Sequence, residues 1–400
     1  LSGYLYEPLI TAGFISMGMD VILVGPLPTP ALPMLIKSLR ADMGVMITAS
    51  HNTYEYNGLK FFDLEGLKIV KSLEKKIENI VFDKSKYNKI INSSYDSGKA
   101  LRLEDAHGRY SEYLKSTLEN NLKIKRLKII LDCANGATYY VAPNLFWEIG
   151  CEVVAINNFP NGKNINHNCG AVNTTELSHK VLEEKADIGF AFDGDGDRII
   201  AVDEKGNEID GDNLMALFAK NLLNLNSLNK NTVVSTIMSN LGFEKYLKKI
   251  GIKLVRKKVG DINVILEMVK NNFNLGGEQS GHIILGDFMR TGDGILVALK
   301  IVEMLSKNPV KASQLFNLYK KYPQIKDNIK IDKILSISTE NKINLLTRNF
   351  ESKYKDLRFL VRKSGTEPLL RVLVEGYDDE VVEKASTKLI NNIKKIINAK

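Results

Sequence analysis

LKIILDCANGATYYVAPNLFWEIGCEVVAI, residues 127–156, reads as strand, helix and strand in a single run. LKIILD (127–132) is a short apolar stretch that ends at an aspartate. Gly150 follows an apolar helical segment and suits a helix C-cap, and the β-branched run after Cys151 suits the next strand. A strand followed through a helix and a short turn by another strand is the signature of a parallel sheet. The same helix end, glycine and extended run recurs as SMGMDVILV (16–24) and KIGIKLVRK (249–257), the latter preceded by its own strand, TVVSTI (232–237). Three related α/β domains in tandem is the economical reading. The first copy has no strand before its helix, which begins almost at Leu1. By the logic of the repeat, domain 1 is expected to lack its N-terminal strand.

After about residue 320 the pattern changes. IKDNIKI (325–331), RFLVRKS (358–364) and LLRVLVEG (369–376) read as strands, and Asp379 to about Asn398 as an amphipathic helix with Val381, Val382, Ala385, Leu389 and Ile393 on its apolar face. This is a small α+β domain. The expected boundaries are 1–100, 101–204, 205–320 and 321–400, with Asn- and Lys-rich surface loops or connections at 83–99 and 219–231.

Four hundred residues exceed what one core supports. No stretch approaches the roughly 20 apolar residues of a membrane span, so no membrane partner is expected and the cytoplasm is the expected compartment. Cys133, Cys151 and Cys169 are too few and too irregularly spaced for a disulfide framework or a zinc site. The net charge of +8 comes from lysines spread over the whole chain, without a basic stripe interleaved with aromatics, which argues against nucleic acid and leaves room for an anionic substrate.

Four segments carry chemistry. IGFAFDGDGDRIIAVD (188–203) alternates Asp193, Asp195 and Asp197 with two glycines between apolar strands. Alternate residues of an extended turn point the same way, so the carboxylates can converge on one hard cation, Mg²⁺ shared with a phosphate, with Arg198 adding a charge-assisted contact. An EF-hand is excluded because Arg198 stands where that loop needs glycine and a strand follows. Ser50, at the end of the apolar strand MGVMIT (43–48), sits where α/β sheets place ligands, though a serine there also suits a helix N-cap. LGGEQSGHIILGD (275–287) puts Glu278, Ser280 and His282 at alternate positions, a set fit for sugar recognition with a titratable imidazole, or with His282 as a buried structural group. Arg362, Lys363, Ser364, Gly365 and Thr366 close one strand and Arg371 lies in the next, a phosphate nest in one reading and a solvated turn in the other.

TASHN, DGDGDR, GEQSGH and RKSGTEP in this order resemble the α-D-phosphohexomutase superfamily, over essentially the whole chain. The resemblance implies three α/β domains and a C-terminal α+β lid around a central cleft. Ser50 would be the phosphoserine and a further metal ligand beside the three aspartates, one Mg²⁺ per chain. His51, Asn52, Lys60 and Arg198 would line the donor site, Lys60 and His282 would move protons, and Glu278 and Ser280 would contact sugar. Arg362, Ser364, Gly365, Thr366 and Arg371 would hold the distal phosphate. Glu278-Gln279-Ser280 and RKSGTEPLLRV point to the branch that interconverts glucosamine 6-phosphate and glucosamine 1-phosphate through glucosamine 1,6-bisphosphate, supplying amino-sugar and cell-wall precursors, in a monomer or homodimer. A glucose- or mannose-phosphate mutase, a Mg²⁺-dependent sugar phosphatase and a non-catalytic phosphosugar binder are the alternatives. Thr53 stands where the family usually has proline. Turning the intermediate over without losing it would call for a closed, water-poor cleft and a fourth domain that moves.

Overall fold

The computed structural model describes residues 1–91, 96–120, 124–331, 335–363 and 368–398. They form two compact units, Leu1–Met238 with Leu254–Asn317, and Ser239–Lys253 with Leu318–Lys400.

The first unit is built on a five-stranded sheet in the order Glu152–Ile156, Lys128–Asp132, Ile188–Phe192, Ile199–Asp203, Glu208–Ile209. The first three strands are parallel, as the 127–156 reading requires, and the last two turn back antiparallel. Every residue of Ile188–Phe192 and Ile199–Asp203 is buried, as expected of strands covered on both faces. Leu177 and Val181 of the helix Thr175–Glu183 pack on Ile130, Ala191 and Val202. A second sheet orders Lys253–Lys257, Thr232–Thr236, Leu275–Gly277 and Ile283–Leu285, with Val264, Ile265 and Met268 of the helix Asp261–Asn271 set against Val234 and Ile284. Gly18, Gly150 and Gly251, the repeat glycines, have φ of +79°, +99° and +80°, each one residue past a helix C-cap. Only glycine takes that conformation without a steric penalty, which is why the residue recurs there.

The N-terminal part of this unit holds two separate ladders. Val21–Leu23 pairs in parallel with Ala100–Arg102, and Met43–Ile47 pairs antiparallel with Leu59–Asp63. The helix Ser2–Ser16 buries none of its residues, and the local core is the small cluster Leu32, Ile36 and Phe62. The stretches expected as loops are partly helical. Lys84–Ile91 is a helix, and Gly211–Asn224 runs through the start of the second stretch because the Asp210 carboxylate caps it and Leu214, Leu217 and Phe218 anchor it. Lysine and asparagine there mark a surface, not a break in structure.

The second unit has the antiparallel sheet Gln324–Lys330, Leu369–Glu375, Arg358–Lys363, with the helices Ile337–Lys353 and Asp379–Asn398 packed on it. The final helix buries Val382, Ala385, Leu389 and Ile393 as its periodicity predicts, while Val381 stays exposed.

Asp132 fixes how the central sheet hands over to the loops beyond it. It is fully buried, and its two carboxylate oxygens accept from the N–H groups of Ala134 and Gly170. Burial pushes this carboxyl up to about 6, above the ~3.9 of an unfolded aspartate. Between those values the folded chain holds an extra proton, so the contribution of Asp132 to stability grows as pH falls through about 6 and is lost as pH rises. Asp132→Asn should destabilise the chain by about 1–3 kcal/mol at pH 7 by setting an amide against a backbone N–H. The gap to the parent should widen on acidification to about pH 4.5, since only the parent gains from proton uptake. Urea denaturation at both pH values measures it, and a gap that does not change with pH contradicts the assignment.

Candidate functional site

The antiparallel pair Ile188–Phe192 and Ile199–Asp203 ends in the loop 193–198. Asp193, Asp195 and Asp197 are all buried there, with carboxylate oxygens within 4.8 Å of one another. The convergence read from their alternation is present. Gly196 sits at φ +71°, and a Cβ on Gly194 would lie 2.7 Å from the Ser50 carbonyl, so both glycines are required by the loop's curvature and close approach.

Donors gather around the carboxylates from distant parts of the chain. Asp195 Oδ2 accepts from Thr29 Oγ1 at 2.7 Å, Thr48 Oγ1 at 3.0 Å and Lys60 Nζ at 2.7 Å. Lys60 Nζ also reaches Asp197 Oδ2 at 2.8 Å. Asp193 accepts from the Arg198 N–H at 3.1 Å and from Ser50 Oγ at 2.9 Å. Burial alone would favour neutral Lys60, but Asp197 and Asp195 outweigh it and hold the ammonium charged. Burial, with Asp197 and Asp195 beside it, pushes Asp193 well above the usual carboxylate range. Burial acts the same way on Asp197, yet Lys60 and His282 outweigh it and hold that carboxyl well below the range.

These donors leave two oxygens over. Asp195 Oδ1 and Asp197 Oδ1 are buried and accept no hydrogen bond of normal length among the described residues, although His282 Nδ1 and Arg198 Nε stand 3.6 and 3.9 Å from Asp197 Oδ1. Buried carboxylate oxygens without donors are costly unless a cation meets them. Three hard oxygen donors of this kind suit a divalent metal ion, so the residues present fit one.

Ser50 follows the strand Met43–Ile47 and adopts φ +53°, a left-handed conformation that costs a non-glycine residue about 1–2 kcal/mol. Its N–H donates to Thr48 Oγ1 at 2.9 Å. It is thus no helix cap but a strained turn that presents its hydroxyl to Asp193. Beside it, burial and then Arg198 push the His51 imidazole down, favouring the neutral ring.

The 275–287 hairpin brings two of its three predicted groups inward. Glu278 is buried and accepts from the Gly260 N–H at 3.0 Å. His282 is buried, accepts the Gly292 N–H on Nε2 at 3.1 Å and turns Nδ1 toward Asp197 Oδ1 at 3.6 Å. Protein groups therefore face both ring nitrogens, with the proton on Nδ1. Ser280 is exposed instead of sharing their side, because Gly281 at φ +93° closes a turn onto Ile199 and breaks the strict alternation. In the second unit, Arg362 and Arg371 are directly opposed on neighbouring strands. Ser364, Gly365 and Thr366 lie outside the described residues.

Sequence reasoning missed Thr29, Gly292 and Asn166. Thr29 is buried after Pro28 and both donates its hydroxyl to Asp195 and bonds its N–H to the Asp195 carbonyl. Asn166 donates its side-chain amide to the Ser50 and Asn52 carbonyls. Its only sequence signal is the density of asparagine in NGKNINHN (161–168), a residue type that tolerates left-handed turns.

Three related sheet-and-helix segments carrying a buried carboxylate cluster beside a strained serine suit an enzyme that handles phosphate with a divalent cation. Family models described as phosphoglucomutase/phosphomannomutase α/β/α domains I, II and III match residues 1–88, 109–206 and 210–322, and the C-terminal domain matches 325–391. The chain belongs to this family, the α-D-phosphohexomutase superfamily, and its close relatives within it are phosphoglucosamine mutases. That of Zymomonas mobilis is 44% identical over 395 residues, spanning 99% of this chain and 88% of the relative. That of Thermodesulfovibrio yellowstonii is 46% identical over 392 residues, 97% of this chain and 87% of the relative. Among solved structures, a phosphoglucomutase/phosphomannomutase family protein from Burkholderia thailandensis shares the fold with a TM-score of 0.80 at 22% identity, covering 98% of this chain and 86% of its own. The Aspergillus fumigatus N-acetylphosphoglucosamine mutase, solved with GlcNAc-6P and magnesium, shares it with a TM-score of 0.65 at 16% identity, covering 98% and 99%. Among the described residues no helix is long and apolar enough to cross a membrane.

A divalent cation should raise the thermal unfolding temperature of the chain, by about 2.7 kcal/mol of stabilisation at a hundredfold excess over its Kd. Differential scanning fluorimetry with Mg²⁺ or Mn²⁺ measures this. Asp197→Asn should abolish the shift, and a variant that keeps it would exclude this loop as the metal site.

Proposed function

We propose that this chain interconverts glucosamine 6-phosphate and glucosamine 1-phosphate through a phosphorylated Ser50. The observation that carries the reading is the strained Ser50 turn, whose Oγ lies 2.9 Å from Asp193 at the edge of the carboxylate cluster. The glucosamine assignment is supported by full-length similarity to phosphoglucosamine mutases at 44–46% identity.

In this reading the Ser50 phosphoryl passes to the O1 hydroxyl of glucosamine 6-phosphate: the Oγ–P bond breaks, an O1–P bond forms and the hydroxyl proton moves to a base. Glucosamine 1,6-bisphosphate then turns over, and Ser50 Oγ takes the phosphoryl from O6: the O6–P bond breaks as O6 takes up a proton, the Oγ–P bond re-forms as Oγ gives its proton to a base, and glucosamine 1-phosphate is released. Asp193, Asp195 and Asp197, with a phosphoserine oxygen, would hold one Mg²⁺, which when bound neutralises the charge on the transferring group. The chain's own residues supply the rest. Lys60 and Arg198 place two cations beside the transferring group, His51 and Asn52 line it, and electrostatic preorganisation of this kind is worth most in a buried site.

Lys60 and His282 are the two candidates for moving protons: Asp197 and Asp195 hold Lys60 as a charged donor, and His282 already accepts the Gly292 N–H on Nε2. Glu278 and Ser280 are proposed to meet the sugar. Arg362 and Arg371 face each other across one rung, and burial with Arg371 beside it lowers the hold of Arg362 on its proton. An anion between them relieves that repulsion, so they are proposed to grip the non-reacting phosphate with Ser364, Gly365 and Thr366. Residues 1–100, 101–204, 205–320 and 321–400 would then each carry one functional loop: nucleophile, metal, sugar and phosphate. The proposal extends to a cytoplasmic monomer or homodimer that feeds amino-sugar and cell-wall precursor synthesis.

Incubation with glucosamine 1,6-bisphosphate and Mg²⁺ should add the mass of one phosphoryl group to the intact chain, mapped to Ser50 by peptide mass spectrometry. Ser50→Ala should lose both the label and turnover. Release of inorganic phosphate without a labelled Ser50 would point to a phosphatase, and faster turnover on glucose or mannose 6-phosphate would move the substrate assignment. Arg362→Ala should raise KM for glucosamine 6-phosphate by about tenfold or more, the loss of one charge-assisted phosphate contact. Steady-state kinetics checks this, and an unchanged KM removes Arg362 from the phosphate site.

A further inference from the structure

Asn166 belongs to none of the four motif loops, yet its side chain is almost wholly buried and both of its amide hydrogens are in use. Nδ2 donates to the Ser50 carbonyl at 2.9 Å and to the Asn52 carbonyl at 2.8 Å. On the other side of the nucleophile, the Ser50 N–H is held by Thr48 Oγ1 at 2.9 Å. The two peptide groups that flank the Ser50 Cα are therefore both pinned. Holding those peptides fixes φ and ψ of Ser50 and leaves only the side-chain torsion free.

Asn166 is itself anchored to the central sheet. Its N–H donates to the Ala134 carbonyl at 2.9 Å, and the Ala134 N–H donates to the buried Asp132 at the end of a sheet strand. Asn166 has φ +55°, a conformation asparagine tolerates better than most residues. There is no slack in the arrangement: a Cβ on Gly194 would lie 2.6 Å from Asn166 Nδ2 and 2.7 Å from the Ser50 carbonyl. A chain of hydrogen bonds thus runs from the sheet to the one strained residue that carries the proposed chemistry.

We propose that Asn166 is a positioning residue for phosphoryl transfer, holding the Ser50 turn in its left-handed conformation so that Oγ stays aimed at the carboxylate cluster. This rests on the mutase reading above. Asn166→Asp keeps the size of the side chain but sets a carboxylate against two carbonyls. Asn166→Gly keeps the left-handed backbone available and removes the bridge.

The test compares both variants with the parent by kcat, KM and single-turnover transfer from phosphorylated Ser50 to glucosamine 6-phosphate. Rates are normalised to the fraction of chains that mass spectrometry shows phosphorylated. A nucleophile displaced by even an ångström should lower normalised kcat and single-turnover rate together by about 100-fold, with KM within about threefold of the parent. A purely structural role predicts fewer phosphorylated chains but a parental rate per phosphorylated chain, and that result overturns the proposal. Failure of both variants to fold overturns it as well, in favour of a structural role. A parent that takes no phosphoryl on Ser50 overturns the mutase reading and this inference with it, whereas an active parent with unaffected variants overturns this inference alone.

Discussion

Three carboxylates crowded within 4.8 Å at the end of two buried strands set the terms for the loops around them. Two unit charges 4 Å apart repel by about 4 kcal/mol at an effective dielectric of 20, so the cluster persists only with compensation. Lys60 spans Asp195 and Asp197, the hydroxyls of Thr29 and Thr48 share one oxygen of Asp195, and Ser50 and the Arg198 N–H attend Asp193. These donors come from separate parts of the first unit. The need to neutralise one loop thereby fixes where several others stop, and the nucleophile is placed as one member of the compensating set.

The fold was largely legible because its signals are local. Gly18, Gly150 and Gly251 each follow a helix end and take positive φ, a backbone requirement that any reader of the chain can see. The Asp-Gly alternation at 193–197 was equally legible, since it depends on neighbours only one residue away. What could not be read is what joins residues far apart. Thr29 and Asp195 are separated by 166 positions, Asn166 and Ser50 by 116, and no period or motif encodes those contacts. Ser280 shows the opposite failure: a local rule, strict alternation, yields to Gly281, whose turn is dictated by docking on Ile199. The lysine-rich stretches misled in a third way, because polarity reports exposure and is shared by loops and surface helices.

Compensation at the cluster is incomplete in a directed manner. Lys60 meets one oxygen each of Asp195 and Asp197, while the other oxygen of each is buried without a hydrogen bond of normal length among the described residues, Asp197 Oδ1 having only His282 Nδ1 at 3.6 Å and Arg198 Nε at 3.9 Å. Arg362 in the second unit shows the reverse sign: a partly buried guanidinium opposed by Arg371, its Nε without a hydrogen-bond partner among the described residues. Retained imbalance of this kind is the usual mark of a binding site, where the missing charge arrives with a ligand. It also sharpens what the net charge of +8 means. Surface lysines keep a chain soluble, but buried carboxylate oxygens left without a normal hydrogen bond call for a cation at that loop.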